Sequence, residues 1–287
     1  VVRIPDGRDL ETAAFGDEGA PTVFFHHGTP ASATTAWAEL RHAADGLFVV
    51  TTSRAGYSLS SRRSGRRVAD VVDDVRVALD AWGRGDYLAV GHSGGGPHAL
   101  ACAALDAPRC VGAFSLAGVA PTDAGFDWTE GMAQENVDEF ALAMAGGPEY
   151  EAAMEGYAAT FGEATADTIM GLFGGLMSEP DRAALRDPVE LELFARICRE
   201  AFATGHWGFY DDDRAMLSAW GFDAADIAVP VEVWYAGVDY MVPATHGRWL
   251  AARIPGARER YFESEGHMSL ITNHPGELNE AMRAAAS

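Results

Sequence analysis

The sequence predicts an α/β fold: a mostly parallel sheet with helices on both faces, interrupted by one helical insertion. Three observations carry this. Short apolar runs alternate with helical patterns through the first 120 residues, the rhythm stops between about residues 121 and 228 and then resumes, and a glycine-rich serine turn, GHSGGGP, stands between a strand pattern and a helix pattern.

In chain order, VVRIP and LETAAF read as an antiparallel hairpin at a sheet edge. The runs TVFFHH (22–27), LFVVTT (47–52) and DYLAVGH (86–92) are short and apolar, as buried strands are. Between the last two, RVADVVDDVRVALDAW (67–82) sets Val68, Val71, Val72, Val75, Ala78 and Leu79 at helical spacing, with aspartates and Arg76 on the other face. HALACAALDA after Pro97 is a small-residue helix, and CVGAFSLAG (110–118) is the next strand. Residues 121–228 are rich in Met, Ala and Glu, with helical periodicity and Gly-Gly pairs at 146–147 and 174–175, and so read as an insertion. The alternation returns with VPVEVWYAG (229–237), the helix THGRWLAARI, the strand RERYFE (258–263) and a helix after Pro275. The expected division is a core of residues 1–120 and 229–287 around an inserted unit at 121–228.

Composition narrows the function classes. A chain of 287 residues, 48% hydrophobic, can bury a large core. Its formal charge of −21 repels phosphates, which argues against nucleic acid or an anionic membrane surface as partner. All 21 basic residues are arginine, a bias in keeping with a GC-rich bacterial genome. Cys102, Cys110 and Cys198 have neither disulfide parity nor metal-ligand spacing, so free thiols in the cytoplasm are expected. No stretch reaches the roughly 18 apolar residues of a membrane span. The first residue is Val1, which leaves a trimmed start and a removed targeting segment open.

Gly91, His92, Ser93, Gly94 and Gly95 satisfy G-x-S-x-G in the strand-to-helix context the motif requires. A nucleophile on so sharp a turn holds a strained backbone, and Gly91 and Gly95 keep bulky side chains out of its way. The Gly94 amide points where an oxyanion would form, and Pro97 is tolerated in a first helical turn. The alternatives are a tightly packed turn or a nucleotide loop. Walker A fails for want of G-K-[ST], and the glycines at 91, 94, 95 and 96 do not fit G-x-G-x-x-G.

A serine hydroxyl needs a base, and the base an orienting carboxylate. Among nine histidines, His267 in GHMSL follows the last predicted strand and reaches the carboxyl edge of the sheet, where Ser93 emerges. His92 should point away from that edge, His98 lies in the following helix, His26 in a strand, His246 and His274 at helix starts or the surface, and His42 and His206 are solvated or packed. Asp239 in GVDYMVP follows the strand before it, and the order Ser93, Asp239, His267 fits the turn. Asp123, after the strand at 110–118, is the rival carboxylate. HHGTP at 26–30 ends a buried strand, and Gly28 and Thr29 place a second amide donor, that of Thr29, beside the turn.

With HGTP, GHSGGG, GVDYMVP and GHMSL in this order and in these strand contexts, the chain resembles the α/β-hydrolase-fold serine hydrolases. The resemblance covers about residues 10–120 and 229–285. It implies an eight-stranded sheet, Ser93 as nucleophile, His267 as base then acid, Asp239 as its orienter, the amides of Thr29 and Gly94 as oxyanion donors, and a helical cap at 121–228. SRAGYSLS (53–60) departs from the D-x-x-G-x-G-x-S of many relatives, with Ser53 for the acid and Ser58 for the second glycine.

Expected chemistry is hydrolysis of an ester, thioester or lactone without cofactor. The expected substrate is a small molecule with an apolar or aromatic portion, since Met132, Met144, Met154, Met170, Met177 and Met216 and many aromatics fall in the insertion. Glu130, Glu135, Glu139, Glu149, Glu151 and Glu155 leave an aminopeptidase-like reading open, with an ammonium held by the insertion. Cofactor-free oxygenation, carbon–carbon cleavage, cyclisation and ligand binding also remain open on such a scaffold. RRSGRR (62–67) reads as a solvated loop rather than an anion grip, DDD (211–213) as helix capping and turn, and His26-His27 as a pair split across a strand, with no metal site.

Overall fold

The computed structural model describes residues 1–286. In chain order the strands are β1 (Val2–Arg3), β2 (Asp9–Leu10), β3 (Thr12–Gly16), β4 (Thr22–His26), β5 (Phe48–Thr52), β6 (Tyr87–His92), β7 (Cys110–Leu116), β8 (Val231–Ala236) and β9 (Arg258–Phe262). The helices are α1 (Ala36–Leu40), α2 (Val71–Ala81), α3 (Gly95–Leu105), α4 (Gln134–Ala145), α5 (Pro148–Phe161), α6 (Ile169–Leu172), α7 (Glu179–Ala184), α8 (Pro188–Ala201), α9 (Trp207–Leu217), α10 (Ala244–Arg253), α11 (Ser269–Thr272) and α12 (Pro275–Ala285).

One sheet runs β3-β5-β4-β6-β7-β8-β9, parallel throughout except for β3, which lies antiparallel to β5 at one edge. This is seven strands, not the eight that the resemblance implied. The expected hairpin of the first two segments also resolves differently: β1 pairs β2 in a ribbon of its own, and only β3 joins the sheet. The cause lies at Glu11, between β2 and β3. Its amide donates to Ser60 Oγ at 2.9 Å and its carboxylate accepts from Ser53 Oγ, so the 53–60 loop interrupts the pairing there.

Alternation along the strands builds two cores. Phe24, Val50, Ala89 and Val233 face α2, α3 and α10, whose Val75, Leu79, Leu100 and Leu250 close one face. Val23, Phe25, Val49, Val90 and Trp234 meet Leu40 of α1 and Leu278 and Met282 of α12 on the other. Because β4 has β5 on one side and β6 on the other, the chain reverses its direction of growth between β4 and β6. Loops leaving such a switch point at the carboxyl edge form a natural crevice. Those loops are HGTP and the serine turn. The loops after β8 and β9 leave the same edge because all these strands are parallel.

Between β7 and β8 the chain contains α4 to α9 and, among the described residues, no strand. No helix of the described residues is long and apolar enough to cross a membrane.

Candidate active site

Ser93 sits between β6 and α3 with φ of 54°, in the left-handed region that L-residues rarely adopt. The turn is held by Ser93 N–H donating to Leu116 O at 2.8 Å and by Gly96 N–H donating to Ser93 O at 2.9 Å. A Cβ at Gly91 would stand 2.1 Å from Gly95 O, and one at Gly95 would stand 2.1 Å from His26 O. Both positions therefore exclude any side chain, the reason the sequence suggested.

Thr29 lies against this turn: a Cβ on Gly94 would fall 2.2 Å from Thr29 Oγ1. Among the described residues, neither the Thr29 nor the Gly94 amide donates to another protein group. Two free N–H donors thus flank Ser93. Gly28, preceding Thr29, also lies against Ser93, and a Cβ there would be 3.7 Å from the Ser93 Cβ.

His267 is buried, and its Nδ1 lies 2.8 Å from Asp239 Oδ2. Asp239 is held by its own turn, with Oδ1 accepting the amides of Met241 and Val242, each at 2.8 Å. A carboxylate so fixed requires the Nδ1–H tautomer, which leaves Nε2 as acceptor. Burial pulls the His267 imidazolium down, but the charge and hydrogen bond of Asp239 outweigh it, and its pKa is raised above 6.5. Ser93, Thr29, Gly28 and His267 line one cavity of about 60 Å³. Ser93 and His267 are not hydrogen-bonded to one another; such pairs commonly tighten only with substrate bound. Asp123, the rival, is exposed, and the His267 partner is Asp239.

Several side groups differ from expectation. His92 does not turn away: Nδ1 meets Glu39 Oε2 at 3.1 Å, Nε2 lies 3.4 Å from His267 O, and the two rings are 5.0 Å apart. His246 stands in the first turn of α10, as expected of a helix start, but is fully buried, accepting from Ala120 N–H at 3.1 Å and donating to Trp128 O at 2.9 Å. RRSGRR is not simply a solvated loop, and DDD does not cap a helix. The three aspartates lie within α9, all buried, and two take their partners from that arginine run.

Asp212 is the centre of this arrangement. It accepts from Arg54 Nε at 3.0 Å, Tyr57 OH at 3.0 Å, Thr29 Oγ1 at 2.8 Å, and Arg66 Nη2. Burial alone would raise its pKa, but Arg54 and Arg66 hold the carboxyl well below the usual range. Arg54 also donates to the carbonyls of His27 and Gly28 and, at 2.9 Å, to Thr29 Oγ1. The loop carrying the Thr29 amide is thereby tied to α9. In the divergent 53–60 loop, Glu11 supplies a carboxylate to Ser53, and Ser58 adopts a left-handed φ of 47°.

Asp181, at the start of α7, had no functional reading in the sequence. It is fully buried, with Oδ1 accepting Met268 N–H at 2.8 Å and Ser269 N–H at 2.9 Å, and Oδ2 accepting His267 N–H at 3.2 Å and Ser178 Oγ–H at 2.6 Å. A Cβ on Gly266 would lie 2.4 Å from Asp181 Oδ2, so the GHMSL loop closes on this carboxylate. The S-x-x-D spacing at 178–181 signals a helix start in sequence, but nothing local announces its distant partner.

A second cavity, of about 160 Å³, opens beside Ser93, Gly94 and Thr29 and runs between α4 and α9. Its walls include Phe140, Phe161, Phe209 and Met216 from the insertion, with Glu139 and Asp213 among them. Glu151, Glu155 and His206 bring ligand atoms within 4.8 Å of one another, but line neither cavity.

The model of the alpha/beta hydrolase fold family matches residues 21–274. The chain belongs to the α/β-hydrolase family. This α/β hydrolase is 33% identical over 108 residues to epoxide hydrolase B of Mycobacterium tuberculosis, a match covering 35% of the chain and 29% of that relative. The matched segment is thus under a third of the curated relative's length. Among solved structures, the hydrolase superimposes on the enol-lactonase of Burkholderia xenovorans LB400 with a TM-score of 0.70 at 19% identity, over 98% of this chain and 97% of the other. It superimposes on the esterase EaEST of Exiguobacterium antarcticum with a TM-score of 0.69 at 14% identity, over 100% and 98%. At these identities the likeness concerns the fold.

Proposed function

We propose that this α/β hydrolase cleaves a carboxylic ester, thioester or lactone through an acyl-enzyme on Ser93, with residues 121–228 as a cap over the site. The observation that carries the reading is the left-handed serine flanked by two undonated amides, sharing a cavity with a histidine whose Nδ1 is held by a buried carboxylate. Ser93 Oγ attacks the carbonyl carbon while His267 Nε2 takes its proton. The Thr29 and Gly94 amides receive the developing oxyanion, and His267 then returns the proton to the leaving alkoxide, thiolate or lactone oxygen. Water, deprotonated by His267, releases the acyl group in the second half. Asp239 holds the imidazole and stabilises its cation. This sequence consumes no electrons and requires only water as co-reactant.

A stopped-flow burst tests it. p-Nitrophenyl butanoate should release one equivalent of p-nitrophenol per Ser93 before the steady state, and a linear trace without any trapped acyl adduct would contradict a covalent route. The pH profile follows from His267. It must be neutral to accept the Ser93 proton, and its pKa is raised, so kcat/KM is lost as pH falls through a midpoint above 6.5. Asp239→Asn removes the group that raises it: the acid limb should move down and kcat fall by about 10⁴-fold. An unchanged acid limb would assign that titration to another group.

Asp181 is read as a positioning residue for His267. Asp181→Ala leaves three buried loop amides without an acceptor, and a displacement of about 1 Å at His267 costs on the order of 10²-fold in kcat. Asp181→Asn, which keeps one strong acceptor, should recover part of that loss. Equal falls in both variants, with the acid limb and KM unmoved, would make the residue structural only.

A further inference from the structure

We propose that the substrate cleaved at Ser93 carries an organic cation, a protonated amine or quaternary ammonium on a short apolar body, seated between Glu139 and Asp213 in the cavity beside the serine. The inference rests on the acyl-enzyme reading above and adds the substrate class. Glu139 on α4 and Asp213 on α9 both line the cavity of about 160 Å³ that begins at Ser93. Asp213 is fully buried: Oδ2 accepts from Tyr150 OH at 2.7 Å, while Oδ1 is enclosed without any partner. Among the described residues, the Glu139 carboxyl group has neither a hydrogen bond nor an ion pair. The adjacent Asp212 is taken up by Arg54 and Arg66, so its neighbour receives no direct ion pair from them.

Two other polar groups of the wall have protein partners. Glu135 accepts from Gly175 N–H at 2.8 Å, and Asn136 donates to Met241 O at 3.1 Å. No arginine or histidine lines this cavity, and the chain contains no lysine. One fully buried and one half-buried carboxyl group thus share this wall with no protein cation to answer them, an arrangement that costs free energy unless a proton or a bound cation supplies the charge. Burial pushes Glu139 up to about 8, and burial together with Glu139 raises Asp213 well above the carboxylate range.

The remaining walls decide what kind of cation fits. Tyr157, Phe161, Phe173 and Phe209 line it, and aromatic rings attract a weakly hydrated cation, whereas a hard metal ion would need about six oxygen ligands. A cavity near 150 Å³ is known to take a benzene-sized guest, so a trimethylammonium or a short aminoalkyl group suits the volume.

Isosteric esters test this with charge as the variable. p-Nitrophenyl 4-(trimethylammonio)butanoate and p-nitrophenyl 5,5-dimethylhexanoate differ by N⁺ for C in the acyl part. Choline butanoate and 3,3-dimethylbutyl butanoate make the same exchange in the alcohol part. The wild-type protein should favour the cationic member of at least one pair by about tenfold or more in kcat/KM. Glu139→Gln, and separately Asp213→Asn, should shrink that ratio at least several-fold, with Tm checked for each variant. A ratio near one or favouring the neutral ester in both pairs overturns the proposal, as does a preference that both variants retain. If turnover of the neutral esters depends on Ser93 while no charge preference exists, only the cation assignment fails. If no ester is turned over in a Ser93-dependent way, the acyl-enzyme reading fails and takes the cation assignment with it.

Discussion

Ser93→Ala is expected to lower kcat for ester hydrolysis by about 10⁵–10⁶-fold, to the background that amide donors and binding alone provide. The substitution removes one oxygen and keeps Cβ, so the cavity and the turn should survive. Its diagnostic partner is Ser93→Gly. The backbone at residue 93 holds a φ of 54°, a conformation that costs an L-residue about 1–2 kcal/mol and a glycine little. The glycine variant should be as inactive as the alanine variant yet more stable than it, by up to about 1 kcal/mol after glycine's greater unfolded-state entropy is set against the relief. Kinetics on one ester and thermal melts of the three proteins check both halves. Activity retained in either variant would remove Ser93 from the chemistry, and a glycine variant less stable than alanine would show the turn to be unstrained.

The largest stability effect is expected at Asp212. Its carboxylate is fully buried and meets two guanidinium groups, those of Arg54 at 2% exposure and Arg66 at 7%. Asp212→Ala leaves both charges buried without their partner, an outcome that typically costs about 3–5 kcal/mol. For a chain of this size the melting temperature should fall on the order of 10 °C. Asp211→Ala should cost less, because its partner Arg62 is 30% exposed and water can replace the lost carboxylate. The Asp212 variant should also slow catalysis beyond its effect on folding, since Thr29 Oγ1 loses one of the two groups that fix its loop. Circular-dichroism melts and kcat measured well below the transition separate the two effects. Equal Tm for the Asp211 and Asp212 variants would contradict a central role for Asp212.

Much of this arrangement was legible because it is local or follows from topology. The serine turn carries its own steric signature in Gly91 and Gly95. The loops holding Asp239 and His267 could be placed at one edge because parallel strands return every carboxyl end to the same side. What escaped sequence reading depends on partners far away in the chain. Nothing near residue 212 indicates that DDD meets arginines of the 54–66 segment, roughly 150 residues earlier, so three aspartates read locally as a turn. Asp181 reads as a helix cap because Ser178 is three residues away, while the amides of Met268 and Ser269 are not. For His92, strand alternation gives a side-chain direction but not the reach of an imidazole to Glu39 and the His267 carbonyl. The strand count failed at Glu11, where two serine contacts override the pairing that the apolar pattern favours.

The most direct measurement is active-site labelling with a fluorophosphonate, read by intact mass and peptide mapping on folded wild-type and His267→Ala protein. A nucleophile at Ser93 activated by His267 should give a single phosphonyl adduct on Ser93 in the wild type, and labelling slowed by several orders of magnitude in the variant. No adduct on folded wild-type protein, or an adduct formed equally fast without the histidine, would contradict it.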